Sequence, residues 1–240
     1  MSEVVLATDG LAKRFGGVVA TDNVTLAVVQ SELRCLIGPN GAGKSTLFAL
    51  LGGIHAPDAG RVILKGRDVT RLPAFQRVRL GLGLTFQTNR AYHALSVRQN
   101  LETPRRALGT SRMAKTQERF HYAIDLFGLD PLSERPAREL PHHQLQWLEI
   151  AMVLAGGPDL LLLDEPTAGM SPAESQQTAQ LLKHLNADGL TIVVVEHDMA
   201  FVREVAQVVT VLHQGRVFAQ GSVAEITAHE EVRRIYLGRA

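Results

Sequence analysis

The sequence predicts an α/β fold. A core of buried parallel strands carries an antiparallel β subdomain at the N-terminus and a helical subdomain inserted along the chain. Three observations predict it. "LRCLIGPNGAGKSTLF" passes from an apolar strand through a glycine-rich loop into a helix. "LLLLDEP" and "TIVVVEHD" contain short apolar runs, as expected for parallel strands covered on both faces. From Thr88 to about His143 the pattern turns helical, with Met113, Phe120, Ala123, Ile124 and Phe127 at helical spacing. The 240 residues suit one domain, 1–240, with 88–143 as its helical subdomain.

Each element follows in order. "VVLATDGLAKRFGGVVATDNVTLAV" has β-rich runs broken by Gly-Gly and Asp-Asn and reads as antiparallel strands. "LRCLIG" is a buried strand. "KSTLFALLGG" is a helix ending at a glycine pair. "APDAGRVILKGRDV" is a turn followed by a strand, and "LGLTFQ" is a short strand. "SVRQNLETPRRAL" opens a helix capped by Ser96. After the apolar run "LLLLDEP", "PAESQQTAQLLKHL" is a helix with Pro172 at its first position. "QVVTVLHQGRVFAQG" gives two strands around a turn, and "VAEITAHEEVRRIYLGRA" closes the chain helically.

Composition narrows the function. The formal net charge of +1 gives no global electrostatic reason to expect nucleic acid. The one cysteine excludes an intramolecular disulfide framework and fits a reducing compartment. Cys35 alternates with Leu33 and Ile37 and reads as a buried small hydrophobe. No stretch approaches the ~20 apolar residues a membrane span needs. The N-terminus lacks a signal-peptide pattern. A soluble, cytoplasmic chain is expected, with any membrane role reached through a partner.

"GPNGAGKST" matches G-x-x-x-x-G-K-[ST]. The spacing has a chemical reason. Glycines let backbone N–H groups curl around phosphate oxygens, and the helix that follows aims its N-terminus at the same anion. Gly38, Pro39, Asn40, Gly41, Ala42, Gly43, Lys44, Ser45 and Thr46 form this candidate nucleotide site. Lys44 reaches the outer phosphates and Ser45 offers its hydroxyl to Mg²⁺. Asp164 and Glu165 stand where a parallel strand ends, which is where ligands gather in such sheets. Asp164 is placed to hold Mg²⁺ through water, and Glu165 to orient the attacking water. Gln87 and His197 also stand at strand ends, but alone carry little signal.

Together these residues, in this order, resemble the ATP-binding subunit of ABC transporters along essentially the whole chain. The resemblance implies a P-loop NTPase (RecA-like) core and a Mg-dependent ATPase using ATP and Mg²⁺. It implies that Phe15 stacks on adenine, that Gln87 sits near Mg²⁺ and the transport domains, and that His197 contacts the γ-phosphate. Ala168-Gly169-Met170-Ser171 matches the D-loop. It further implies a second ABC ATPase subunit, two membrane permease subunits, a substrate-binding protein acting through them, no nucleic acid, and a place at the cytoplasmic face of the inner membrane. "EPTAGM", "VVEHDM" and "VRRIYLG" look like the branch serving branched-chain amino acids, amides and urea. "QLQWLEIAM" and "VTVLHQGRV" look closest to the urea type, so urea is the first expectation and branched-chain amino acids the second. The other class is a soluble, non-transport ABC ATPase that binds ATP with little turnover.

One segment departs from the family pattern. Where an LSGGQ-like signature is usual, the chain has Leu140-Pro141-His142-His143-Gln144. In the family this motif completes the partner's ATP site. Pro141 has neither hydroxyl nor N–H. His143 adds bulk and is expected to press on the phosphate or push the loop aside. Three readings bear on it: Pro141 as a first helical residue, a histidine metal or acid–base pair, and a weakened composite site. Adjacent helical residues point about 100° apart, which disfavours the pair. A weakened site implies a heterodimer with one competent and one impaired site. Alternatively, the helix dipole and remaining N–H groups suffice.

Overall fold

A computed structural model describes residues 3–85, 90–108 and 113–237. Two sheets organise it. The first is antiparallel, with β1 (Val4–Phe15), β2 (Val18–Val29), β4 (Ala59–Leu64) and β5 (Arg67–Asp68) in the order β2-β1-β4-β5. The second contains β3 (Leu33–Ile37), β6 (Leu82–Leu84), β7 (Leu160–Asp164), β8 (Thr191–Val195), β9 (Val208–His213) and β10 (Arg216–Gly221). Its order is β10-β9-β3-β8-β7-β6, with β9, β3, β8, β7 and β6 parallel and β10 antiparallel at the edge.

The parallel strands are buried on both faces because successive side chains point opposite ways. Leu33, Cys35 and Ile37, with Leu161, Leu163, Ile192 and Val194, pack on one side against the helices α4 (Met113–Phe127), α5 (His142–Ala155), α6 (Pro172–Ala187) and α7 (Met199–Val205). Leu36, Leu160, Leu162, Val193 and Val195 pack on the other, against α1 (Lys44–Gly52) and the antiparallel sheet. Cys35 is a fully buried hydrophobe, and burial pushes its thiol pKa upward.

Helix ends follow local chemistry. Ser96 caps α3 (Val97–Leu108): its Oγ accepts from the Gln99 amide at 3.2 Å, and Gln99 Oε1 accepts from the Ser96 amide at 3.0 Å. Ser171 and Glu174 form the same reciprocal box at α6, with Pro172 at the first position. Two elements appear where the sequence suggested only a turn and one strand. β5 completes a hairpin with β4, and α2 (Ala74–Arg79) follows it. α2 exists around Arg77, which is 1% exposed. The Arg77 guanidinium donates to the carbonyls of Leu50 and Leu51 at 2.7 Å each, Leu72 at 2.9 Å and Thr70 at 3.1 Å. It thereby caps the C-terminal end of α1. Burial lowers its pKa to about 10, still well above neutrality.

Between β6 and β7 the described elements are helical. α5 packs on α3 and α4, and α4 on α6. Phe127 stacks on Trp147, with ring centroids 4.6 Å apart and planes 1° from parallel, and Trp147 Nε1 donates to Thr178 Oγ1 at 3.0 Å.

Candidate functional site

The phosphate loop is held from two sides. Gly43 has φ 99°, and a Cβ there would lie 2.2 Å from the Ala20 carbonyl oxygen of β2. Gly38 has φ 149°, and its Cβ would lie 2.2 Å from the Leu212 oxygen of β9. Only glycine meets both demands. The Gly215 amide in the β9–β10 turn donates to Ala42 O at 2.9 Å, and the Asp22 amide to Gly215 O at 2.8 Å. The loop is therefore pinned between two hairpins. α1 opens at Lys44 with no side-chain cap, and Ser45 and Thr46 stand in its first turn. Ser45, Asn40 and Gly41 are exposed, while Pro39 and Thr46 are half-buried. Lys44 is buried, and its Nζ donates to Gly38 O at 2.7 Å and Pro39 O at 3.1 Å.

The carboxylates converge at the same C-terminal end of the parallel strands. Asp164 pairs in register with Val195, and Leu36 of β3 with Val195 from the other side. The loop after β3 and the ends of β7 and β8 therefore adjoin. Burial, then the Glu165 charge, raises the Asp164 carboxyl to about 6, against the opposing pull of Lys44. Burial lowers the Lys44 pKa, while Glu165 and Asp164 counter that effect. The Asp164 amide donates to Thr85 Oγ1 at 3.4 Å. Glu165 has φ 48°, an uncommon conformation for a non-glycine residue, and its amide donates to Val195 O at 2.9 Å. His197 is largely exposed, with Nδ1 3.8 Å from Glu165 Oε1. Gln87 lies outside the described residues.

Phe15 ends β1 at the hairpin that borders the loop. It is 45% exposed and meets His55 edge-on at 5.5 Å, leaving ring surface open to a ligand.

The altered signature is bound up with its own chain. Leu140 packs on the core, and Pro141 is the N-cap of α5. The sequence placed Pro141 one position further in. An N-cap has extended ψ, here 156°, and a proline at either position forgoes an amide the helix does not use. Helix geometry leaves the His142, His143 and Gln144 amides without intrahelical acceptors. The expectation that the His143 ring presses outward on a phosphate is corrected. Nδ1 lies 2.8 Å from Glu174 Oε1 on α6, and the ring meets Trp147 edge-on at 4.9 Å. The His142 ring lies over Gly169, whose Cβ would stand 3.4 Å from His142 Cδ2. Gln146 Nε2 donates to Ala168 O at 3.1 Å. The start of α5 is thus tied to the D-loop and the start of α6. Among the described residues no His, Cys, Asp or Glu group is arranged to hold a metal as a cluster, so the histidine pair gains no support as a metal site.

The sequence pattern assigns no role to Thr85, Thr167 or Glu196, although Glu196 ends the same apolar run as His197. Glu196 had a signal: a carboxylate next to His197 at a strand end.

Comparison with known proteins gives one answer. The family model described as ABC transporter matches residues 21–168. The high-affinity branched-chain amino acid transport ATP-binding protein LivG of Salmonella typhimurium is 35% identical, with all of both chains covered. BraF of Pseudomonas aeruginosa, of the same description, is 34% identical over all of both chains. The lipopolysaccharide export system ATP-binding protein LptB of Escherichia coli is 32% identical over 97% of each. Among solved structures, an ATP-binding cassette of an ABC transporter in its ADP conformation superposes with a TM-score of 0.85 at 27% identity, covering 98% of this chain and 99% of that one. A dimeric bacterial ABC transporter cassette gives 0.80 at 26% identity, covering 91% and 98%. A phosphate loop, paired carboxylates and a histidine at one end of the parallel strands, on a fold shared end to end with such cassettes, place this chain in the ABC transporter family as an ATP-binding subunit.

Proposed function

We propose that the chain is the ATP-hydrolysing motor of a bacterial importer for branched-chain amino acids. The supporting observation is the convergence of Gly38–Thr46, Asp164, Glu165 and His197 at the ends of adjacent strands. Lys44 and the loop amides bind the outer phosphates, Phe15 stacks on adenine, Glu165 orients the attacking water and His197 meets the γ-phosphate. The described donors suit Mg²⁺: Asp164 is a buried carboxyl beside a second one and Ser45 is exposed in the first turn of α1, while Gln87, outside the described residues, would be the third donor. When bound there, Mg²⁺ neutralises phosphate charge and polarises the phosphoryl oxygens.

The substrate class follows LivG and BraF in preference to urea, the first expectation from the sequence. The full-length likeness to LptB supports a second reading, an export system. No helix among the described residues is long and apolar enough to cross a membrane, so two permease subunits would carry the substrate, fed by a substrate-binding protein. A cleft of about 280 Å³ between β6, α3 and α5, lined by Leu84, Tyr92, Pro104, Met152 and Val153 among others, is the place where they would dock. Residues 88–143 would be the helical unit that passes motion to them at the cytoplasmic membrane face. No nucleic acid takes part.

Residues 140–144 would complete the partner's site. Pro141 removes a hydroxyl and an amide, so a heterodimer with an intact partner signature has one competent site, built on this chain's Lys44. Mg-ATP turnover tests the reading, with Glu165→Gln as control. Binding with little turnover is expected for the chain alone, and turnover for the assembled complex. Turnover by the chain alone that rises with its concentration and vanishes in Glu165→Gln would remove the heterodimer. In proteoliposomes, ATP-driven uptake of leucine supports the substrate class. Uptake of urea, or outward transport of a lipid-like substrate, overturns it.

A further inference from the structure

Glu196 is a fully buried carboxylate that the reaction as described does not use. Four donors converge on its two oxygens. Oε1 accepts from the Thr167 hydroxyl and, at 3.4 Å, from the Thr167 amide. Oε2 accepts from the amides of His197 at 2.8 Å and Asp198 at 3.3 Å. Oε2 also lies 3.7 Å from His197 Nδ1. Thr167 follows Glu165 by two residues, and His197 follows Glu196 directly. One side chain thus bonds both the loop that delivers the water-orienting carboxylate and the loop that delivers the γ-phosphate histidine. The Tyr236 hydroxyl donates to His197 O at 3.2 Å and steadies the second loop from outside.

The arrangement exceeds what burial alone requires. A hydrophobic residue would end β8 without leaving a carboxyl to satisfy. A carboxylate taking two amides on one oxygen and a hydroxyl on the other fixes two chain segments at once, and charge-assisted bonds are the stronger kind. His197 needs such support, because its ring is exposed and Nδ1 stands between Glu165 at 3.8 Å and Glu196 at 3.7 Å.

We infer that Glu196 is a positioning residue that locks the Glu165 and His197 loops in one frame. It acts through Thr167 and the backbone of His197 without touching the nucleotide. The inference rests on the ATPase reading above, and two readouts separate the two. In the assembled complex, Glu196→Ala is expected to lower kcat about tenfold or more while leaving the KM for ATP within about twofold. Glu196→Gln keeps an oxygen for the His197 and Asp198 amides and an NH₂ that can donate to the Thr167 hydroxyl, but loses the acceptor of the Thr167 amide, so it should recover part of the loss. Thr167→Val should lower kcat in the native background and add little to Glu196→Ala. Unchanged kcat in Glu196→Ala, or additive losses, overturns the inference. Should Glu196→Ala not fold, Thr167→Val against Thr167→Ser carries the comparison: Val should lower kcat and move the His197 signal, Ser should restore both, and no difference between the two overturns the inference. The second readout needs no turnover: the histidine ring resonances of labelled protein. Thr167→Val should move the His197 signal in the native background and leave it in place in the Glu196→Ala background. Equal movement in both backgrounds refutes the lock, whereas absence of turnover from the unaltered complex refutes only the ATPase reading.

Discussion

Replacing Asp164 by Asn should stabilise the nucleotide-free protein while disabling it. The carboxyl is lifted from 3.8 to about 6, first by burial and then by Glu165. Two pH units at 1.36 kcal/mol each give roughly 3 kcal/mol, the cost of holding the charged form in the fold. Water reaching the open strand end screens part of it, so about 1.5 kcal/mol should be measurable. At roughly 2–4 °C per kcal/mol for a chain of this size, that is about 3–6 °C in Tm. The sign depends on pH. Below about pH 4 both states are protonated and the substitution should change little. From about pH 4 through 6 the unfolded chain releases its proton first, so wild-type stability falls as pH rises. Above that window the advantage of Asn is complete. Thermal unfolding of both proteins near pH 8 and near pH 5 measures it, since the gap between them should widen with pH. Added Mg-ATP should narrow or reverse the gap, because the Asn site keeps Lys44 and the loop amides but loses a charged Mg²⁺ donor and gains less binding free energy. An Asn variant no more stable near pH 8, or a gap independent of pH, would refute the assignment of a desolvated, charge-crowded carboxyl.

Other expectations follow from single contacts. Gly43→Ala should cost about 2 kcal/mol or more and abolish retention of Mg-ATP, because φ 99° and the Ala20 oxygen both resist a Cβ; a thermal shift with nucleotide titration decides it. His143→Ala and Glu174→Gln should each lower the urea midpoint, and the double variant should fall no further than His143→Ala alone, which also loses the Trp147 contact. The Glu174→Gln substitution retains the α6 capping box, so additive losses would mean that the His143–Glu174 contact does not couple the helices. Cys35 should resist maleimide until the protein unfolds, since the thiol is fully buried and its pKa is raised; labelling of the native protein would contradict that burial.

The parts legible in sequence are those whose cause is local. The phosphate loop shows through glycine spacing. β7 and β8 show as apolar runs, the start of α3 through Ser96, and the start of α6 through Pro172. α2 did not show, because six residues give too little periodicity and its N-cap is Pro73, which offers no side-chain oxygen. Its organising residue, Arg77, reads in sequence as one more surface cation. The fate of His143 was equally hidden. Its ring orientation depends on Glu174, 31 residues away and across a strand, a pairing that no local pattern specifies. Thr167 and Glu196 meet for the same reason: two loops are brought together by adjacent strands.

Arg77 has a mechanical consequence. Its guanidinium grips carbonyls from the end of α1 and from the segment leading into α2. The end of α1, the segment after β5 and α2 are therefore held together by one side chain, at the opposite end of α1 from the glycine-rich loop. On the proposed function, a nucleotide drawing on Lys44 would load a base braced at its far end, and any movement would fall to the elements that Arg77 does not hold.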